Sequence, residues 1–329
     1  MRRRNFIALL GGAAAAWPLA ARAQQGERMR RIGVLQSLAA DDPAAKSSIA
    51  AFTQRLQELG WAEGRNLHVD YYWAAGDLSR VRAAAVELAR AQPDVIFTAG
   101  SPSLRAAQQA THAIPIVFVN VADPVGQGFI TSLARPGGNA TGFTNFEFSL
   151  GGKWLQTLKD VTPRVGQVAL LVNPDNPNAS FFLRSVETVA PSFGIETLAT
   201  PVRNKAEIEG AISALAGRSI GGLIVLPDGL SIVYSQLIVG LAARYRLPVV
   251  YPFRDFVVDG GLVSYGINLS ANYRQAADYV DRILRGASPA DLPVQAPTKF
   301  ELVINLKTAK GLDLEIPRDL LLVANEVIE

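Results

Sequence analysis

Gly100-Ser101-Pro102-Ser103 sets two hydroxyls around a proline just behind the apolar run Asp94–Thr98. Ser101 suits a helix cap, and Pro102 suits the first helical position because its missing N–H costs nothing there. The free N–H groups of such a helix start, with the two hydroxyls, would hold a carboxylate or another anion, the helix dipole adding roughly 0.3–1 kcal/mol. A plain cap uses the same residues, so the motif alone does not decide. Asp228 is the second group of interest, lying between the apolar run Leu223–Leu226 and Gly229. A carboxylate there would pair with a ligand ammonium in a site closed to water. It would equally serve as a turn residue or as the cap of a helix beginning near Ile232.

Other small or polar residues stand where apolar runs end: Gln36 and Ser37, Asn120 and Asp123, Asn145, Asn173, and the aromatic Phe253. Asp123-Pro124-Val125-Gly126 reads first as a turn that shapes the floor of a site. Phe253 suits stacking on a flat ligand and suits a core equally well. Trp61 and Trp73 read as packing residues, and His68 and His112 as solvated or structural ones.

Several chemistries are excluded by what the chain lacks. With 0 cysteines there are no disulfides, thiolate metal sites or cysteine nucleophiles, and 2 histidines are too few for a histidine metal cluster. No Gly-x-Gly-x-x-Gly follows the first strand, where Gln36-Ser37-Leu38-Ala39-Ala40 stands instead, and no phosphate loop or Gly-x-Ser-x-Gly elbow occurs. No cofactor is expected. Four of the 32 Lys and Arg residues fall within positions 1–23, which leaves 28 against 29 acids. The body of the protein therefore has no basic excess with which to bind nucleic acid.

The elements that would position these residues alternate along the chain. Short β-branched runs at Arg31–Gln36, Asn66–Trp73, Asp94–Thr98 and Ile116–Val119 are separated by helical patterns such as Ser47–Leu59 and Leu78–Ala91. A Gly/Pro/Asn stretch, 135–139, and a short strand at Thr141–Thr144 mark a crossing, after which the pattern restarts with strands at Val168–Val172, Ile195–Thr200, Leu223–Leu226, Pro248–Val250 and Leu262–Tyr265. Two successive βα sets of about four strands each predict an α/β protein of two Rossmann-like lobes with parallel sheets, joined by a multi-strand hinge. The first lobe is expected over 30–144 plus about 267–290, the second over 145–266, with a tail over 291–329 crossing back over both. In open parallel sheets ligands bind beyond the carboxyl ends of the strands, where the residues named above stand.

Residues 1–23 read as an export signal, with Arg2-Arg3-Arg4, an apolar stretch from Phe6 to Leu19, and Ala21-Arg22-Ala23 for cleavage near Ala23. Arg3-Arg4-Asn5-Phe6-Ile7 fits the twin-arginine pattern, and an arginine-rich Sec signal fits as well. Either route implies a periplasmic protein.

The chain resembles the periplasmic substrate-binding proteins of ABC transporters, in the type I subgroup that includes tryptophan- and phenylalanine-binding members. The resemblance rests on Arg31-Ile32-Gly33-Val34-Leu35, Asp94-Val95-Ile96-Phe97-Thr98-Ala99-Gly100, the block from Ile114 to Gly126, and Pro136-Gly137-Gly138-Asn139-Ala140-Thr141-Gly142. Tyr273 to Gly286 and Val303-Ile304-Asn305-Leu306-Lys307-Thr308-Ala309 extend it to the end of the chain. It implies closure of two lobes on one ligand, with Ser101 and Ser103 at the anion end and Asp228 at the ammonium end. The implied function is non-catalytic capture of a small molecule, an amino acid or aromatic acid among the candidates, by a monomer that hands it to a membrane permease. A sensing subunit for a signalling receptor and an exported enzyme on the same fold are the competing readings.

Overall fold

The computed structural model describes residues 29–218, 220–297 and 299–329, so the expected export signal lies outside the described residues. Ile32–Leu35 is a continuous apolar run, the mark of a strand buried on both faces. It forms the centre of β1 (Arg30–Gln36), which lies between β2 (Leu67–Trp73) and β3 (Val95–Ala99). With β4 (Ile116–Val121) and β5 (Ala140–Thr144) they make a parallel five-stranded sheet in the order β2-β1-β3-β4-β5. Because the pairing sets Gln36 opposite Trp73 and Ala99 opposite Val119, the carboxyl ends of the strands share one edge.

Successive side chains on β1 enter different cores. Ile32 and Val34 meet Phe52 and Leu56 of α1 (Pro43–Glu58), while Leu35 packs with Leu88 of α2 (Leu78–Ala91) and Leu104 of α3 (Ser101–Ala110).

The second sheet has seven strands in the order β12-β11-β10-β9-β8-β6-β7. Its parallel body is β6 (Gln167–Val172), β7 (Glu196–Pro201), β8 (Gly222–Val225), β9 (Val249–Tyr251) and β10 (Val263–Ile267). On one face lie α4 (Leu150–Val161) and α5 (Ala179–Glu187), which supply Trp154, Leu158 and Phe182. On the other lie α6 (Lys205–Ala216), α7 (Gly229–Val233), α8 (Ser235–Arg244) and α9 (Arg254–Val258). The helix expected to begin near Ile232 is thus two, the first starting at Gly229, with a break at Tyr234 (φ −105°, ψ 24°).

The chain passes between the sheets three times. It leaves β5 for α4, returns from β10 into α10 (Leu269–Leu284), and leaves again through residues 292–297 towards β11 (Phe300–Asn305). Tyr273, Ala277 and Val280 of α10 complete the core that Phe52 and Phe97 occupy in the first lobe. The third passage runs beside β5: Thr144 N–H donates to Gln295 O at 2.9 Å and Gln295 N–H to Gly142 O at 3.0 Å. These side-by-side segments form the junction of the two lobes.

The first sheet has the five strands that the sequence pattern names, and the second has two beyond its five. Both come from the tail, where sequence predicts one strand near Leu302–Asn305: β11 pairs antiparallel with β10 and β12 (Glu326–Ile328) pairs with β11. Between them α11 (Leu306–Gly311) and α12 (Arg318–Val323) seal the core with Ile316 and Leu320. Helices of 6 residues and a 3-residue strand are too short to show a period. No helix among the described residues is long and apolar enough to cross a membrane.

Candidate functional site

The carboxyl edges of both sheets carry the residues that sequence singled out. In the first lobe, Gln36 ends β1 and is 1% exposed. Its Oε1 accepts from Tyr273 Oη at 3.2 Å, and its Nε2 is buried without a partner. Ser37 and Ser103 are engaged with each other, Oγ to Oγ at 2.8 Å, which stitches the end of β1 to the start of α3.

Gly100 is the N-cap of α3 and has φ +86°, a conformation that glycine adopts without strain. Contrary to the expected cap, Ser101 is already inside the helix, and no side chain caps it. The first N–H groups of α3 therefore lack a side-chain acceptor. Ser101 Oγ instead receives Gln127 Nε2 at 3.1 Å and Asn178 Nδ2 at 3.5 Å. With both lone pairs approached by donors, its hydroxyl proton is left to donate.

Asn120 stands at φ +59° in the last turn of β4, where the register with β5 shifts between Phe118 and Val121. Asn tolerates this left-handed conformation better than other residues with a side chain. Its Oδ1 is buried and unpartnered, as is Oδ1 of Asn145 just past β5. Asp123 makes the turn: its Oδ1 accepts from Gly126 N–H at 2.8 Å, and a Cβ on Gly126 would lie 2.0 Å from its Oδ2.

In the second lobe the loop after β6 is folded by its own amides. Asn173 Oδ1 accepts from Asp175 N–H at 3.0 Å, and Asn176 Oδ1 from Asn178 N–H at 2.8 Å. Both side chains then donate to Asp228, Asn173 Nδ2 to Oδ1 at 3.1 Å and Asn176 Nδ2 to Oδ2 at 2.8 Å. Asp228 also caps α7 by accepting from Leu230 N–H at 2.8 Å. Burial raises its carboxyl above the usual carboxylate range, against the lowering effect of these donors. Most of its acceptor capacity is thus used within the lobe. A cavity of about 10 Å³ beside Asn173, Asp228 and Ser231 has room for one water and no more. Phe253 is 8% exposed and packs in the core of the second lobe.

Three residues of this edge escape the sequence reading. Tyr273 only opens a stretch that carries the resemblance, with nothing in its sequence context to mark a contact at this edge. Gln127 lies between two glycines in the turn that Asp123 begins, a context with no motif. Asn178 had a visible signal, the run Asn173-Pro174-Asp175-Asn176-Pro177-Asn178, in which asparagines recur ahead of a helix. The run marks a loop that organises itself through side-chain amides.

Two α/β lobes, strand tips lined with amides, hydroxyls and open helix N–H groups, and no cluster of three metal-ligating side chains among the described residues define a bilobal small-molecule binding protein. The chain belongs to the family of ABC transporter substrate binding proteins, whose sequence profile it matches over residues 31–328. It is 27% identical over 289 residues to the "Tyrosine-binding protein" of Clostridioides difficile (strain R20291), covering 88% of this chain and 82% of that one. A conserved domain protein of Vibrio cholerae O1 biovar El Tor superposes with a TM-score of 0.85 at 28% identity, over 91% of this chain and 100% of the other. The ABC domain in complex with L-Trp from Streptococcus pneumoniae superposes with a TM-score of 0.85 at 24% identity, over 91% and 99%. The protein is accordingly a substrate-binding component of an ABC transporter that takes a small ligand, and not an enzyme.

Proposed function

We propose that the protein captures an amino acid with a flat side chain between its two lobes, by bending at the three passages, and hands it to the permease of an importer. The observation that carries this is a set of buried polar atoms without partners, Gln36 Nε2, Asn120 Oδ1 and Asn145 Oδ1, all at the carboxyl edge of the first sheet. Leaving such an atom unpaired costs about 1–3 kcal/mol, so the edge is built to receive partners from a ligand. The open N–H groups of α3 and the Ser101 hydroxyl suit a carboxylate, and the two unpaired Asn oxygens suit an ammonium. Asp228 acts from behind by holding Asn173 and Asn176 in place.

The names of the relatives support the ligand class, one being a tyrosine-binding protein and another a complex with L-Trp. Phe148 adds to this, because it is 43% exposed beside the first passage and stands edge to face with Phe181 of α5 at 5.7 Å. Cleavage near Ala23 would release the protein into the periplasm as a monomer. Titration calorimetry of the periplasmic protein with L-tyrosine, L-tryptophan and L-phenylalanine tests the reading. Micromolar or tighter binding of one of them supports it; silence with all three, confirmed by native mass spectrometry, overturns the ligand class.

A further inference from the structure

Asn178 occupies the N-cap position of α5, where an asparagine ordinarily accepts from an N–H of its own helix. It makes no such bond. Its side chain points to the opposite lobe, where Oδ1 accepts from Gln127 Nε2 at 2.7 Å and Nδ2 approaches Ser101 Oγ at 3.5 Å. Gln127 Nε2 also donates to the same hydroxyl at 3.1 Å. Asn178 and Ser101 are 8% and 4% exposed, so this cluster is shielded from water.

Both mounts are stiff. On the first lobe, Gln127 N–H donates to Asp123 O at 3.1 Å, Phe129 N–H to Pro124 O at 2.9 Å, and Phe129 and Ile130 are anchored in the core. On the second, Asn178 N–H is held by Asn176, which Asp228 grips in turn. Gln127 Oε1 is meanwhile buried without a partner. The amide therefore sits where the bonds across the cleft require it and not where both its ends would be satisfied.

We propose that Gln127 and Asn178 form a polar latch, closing over Ser101, that stabilises the closed arrangement of the lobes and sets how long a ligand is held. The latch rests on the reading of the cleft as the ligand site. Gln127 and Asn178 are positioning residues in this scheme, and their readout is lobe separation and release rate.

The chain has 0 cysteines, so spin labels at Ala83→Cys on α2 and Ala214→Cys on α6, both exposed and on different lobes, report the separation by pulsed electron resonance without background. In the ligand-free protein two distance populations are expected. Gln127→Ala and Asn178→Leu should each move the ratio about tenfold toward the longer one and speed release of L-tyrosine or L-tryptophan by a similar factor. Gln127→Ala with Asn178→Leu should do no more than Asn178→Leu alone, because that substitution already removes both bonds across the cleft. Asn178→Asp keeps the acceptor for Gln127 and should stay near wild type. Ligand-free distances that are the same in wild type, Gln127→Ala and Asn178→Leu overturn the latch, as do multiplicative effects in the double variant. Failure of the wild type to bind any aromatic amino acid overturns the ligand class, while the ligand-free distances still decide the latch.

Discussion

Tyr273 reaches from the second turn of α10 to the tip of β1, where its hydroxyl donates to Gln36 Oε1 at 3.2 Å. The two residues are 237 positions apart in sequence. The ring is 3% exposed and meets Phe97 edge-on at 5.4 Å. Burial raises the phenol above its ordinary range, which favours the protonated, donating form. That bond fixes which end of the Gln36 amide stays unpaired.

Tyr273→Phe tests this. The ring still fills its place, and Gln36 Oε1 loses the donor that holds it. Stability should fall by about 1 kcal/mol, and affinity for the best aromatic amino acid by roughly fivefold, because Gln36 is no longer held. Calorimetry on the variant decides it: unchanged affinity would remove Gln36 from the site.

Asp228→Ala should weaken binding tenfold or more, on the order of 1.4 kcal/mol, by freeing Asn173 and Asn176. It should also cost about 0.5–2 kcal/mol of stability through the lost cap on α7. The pH dependence has a definite sign. A carboxyl whose value rises on folding contributes most below its unfolded value and loses that contribution as pH rises through the folded one. The stability gap between wild type and Asp228→Ala should therefore be widest in acid and narrow toward neutrality, as read from melts across that range.

Phe148→Ala should discriminate between ligands. Removing an edge-to-face aromatic contact costs about 0.5–1.5 kcal/mol beyond the buried area. Affinity for L-tyrosine and L-tryptophan should drop up to tenfold, while Tm falls only slightly through the lost contact with Phe181, because the ring is 43% exposed. A uniform loss across aromatic and aliphatic amino acids would show that Phe148 does not face the ligand side chain.

Gly142 lies in β5 with φ +155°, and a Cβ there would stand 1.9 Å from Phe118 O. No side chain can relieve that contact, since the obstacle is backbone. Gly142→Ala should cost about 4 kcal/mol or abolish folding. Thermal melting near that of wild type would mean that β4 and β5 separate at little cost.

Much of this was legible in the residues. Continuous apolar runs such as Ile32–Leu35 and Val168–Val172 announce strands covered on both faces, and their alternation with helices predicts both sheets. The position of Gln36, Asn120 and Asn145 at the sheet edge was legible because each stands where an apolar run ends. The role of Ser101 was not, since cap and ligand contact use the same hydroxyl and only the position of the helix start separates them. Phe253 and Asp228 show the same ambiguity, because sequence does not reveal the core around the one or the two asparagines that bond the other. The tail strand β11 pairs antiparallel with β10, and nothing in Phe300–Asn305 states a direction. Gln127 was invisible because its partners come from 26 and 51 positions away.

The part that α10 plays in the first lobe also governs the order of events during synthesis. The sheet of β1–β5 is complete once Thr144 has been made, yet one of its faces waits for Tyr273, Ala277 and Val280. A ribosome must add the whole body of the second lobe before that face is sealed. The nascent protein thus carries an uncovered apolar surface while residues 145–280 are added, and chaperones that recognise unfinished chains have that long to engage it.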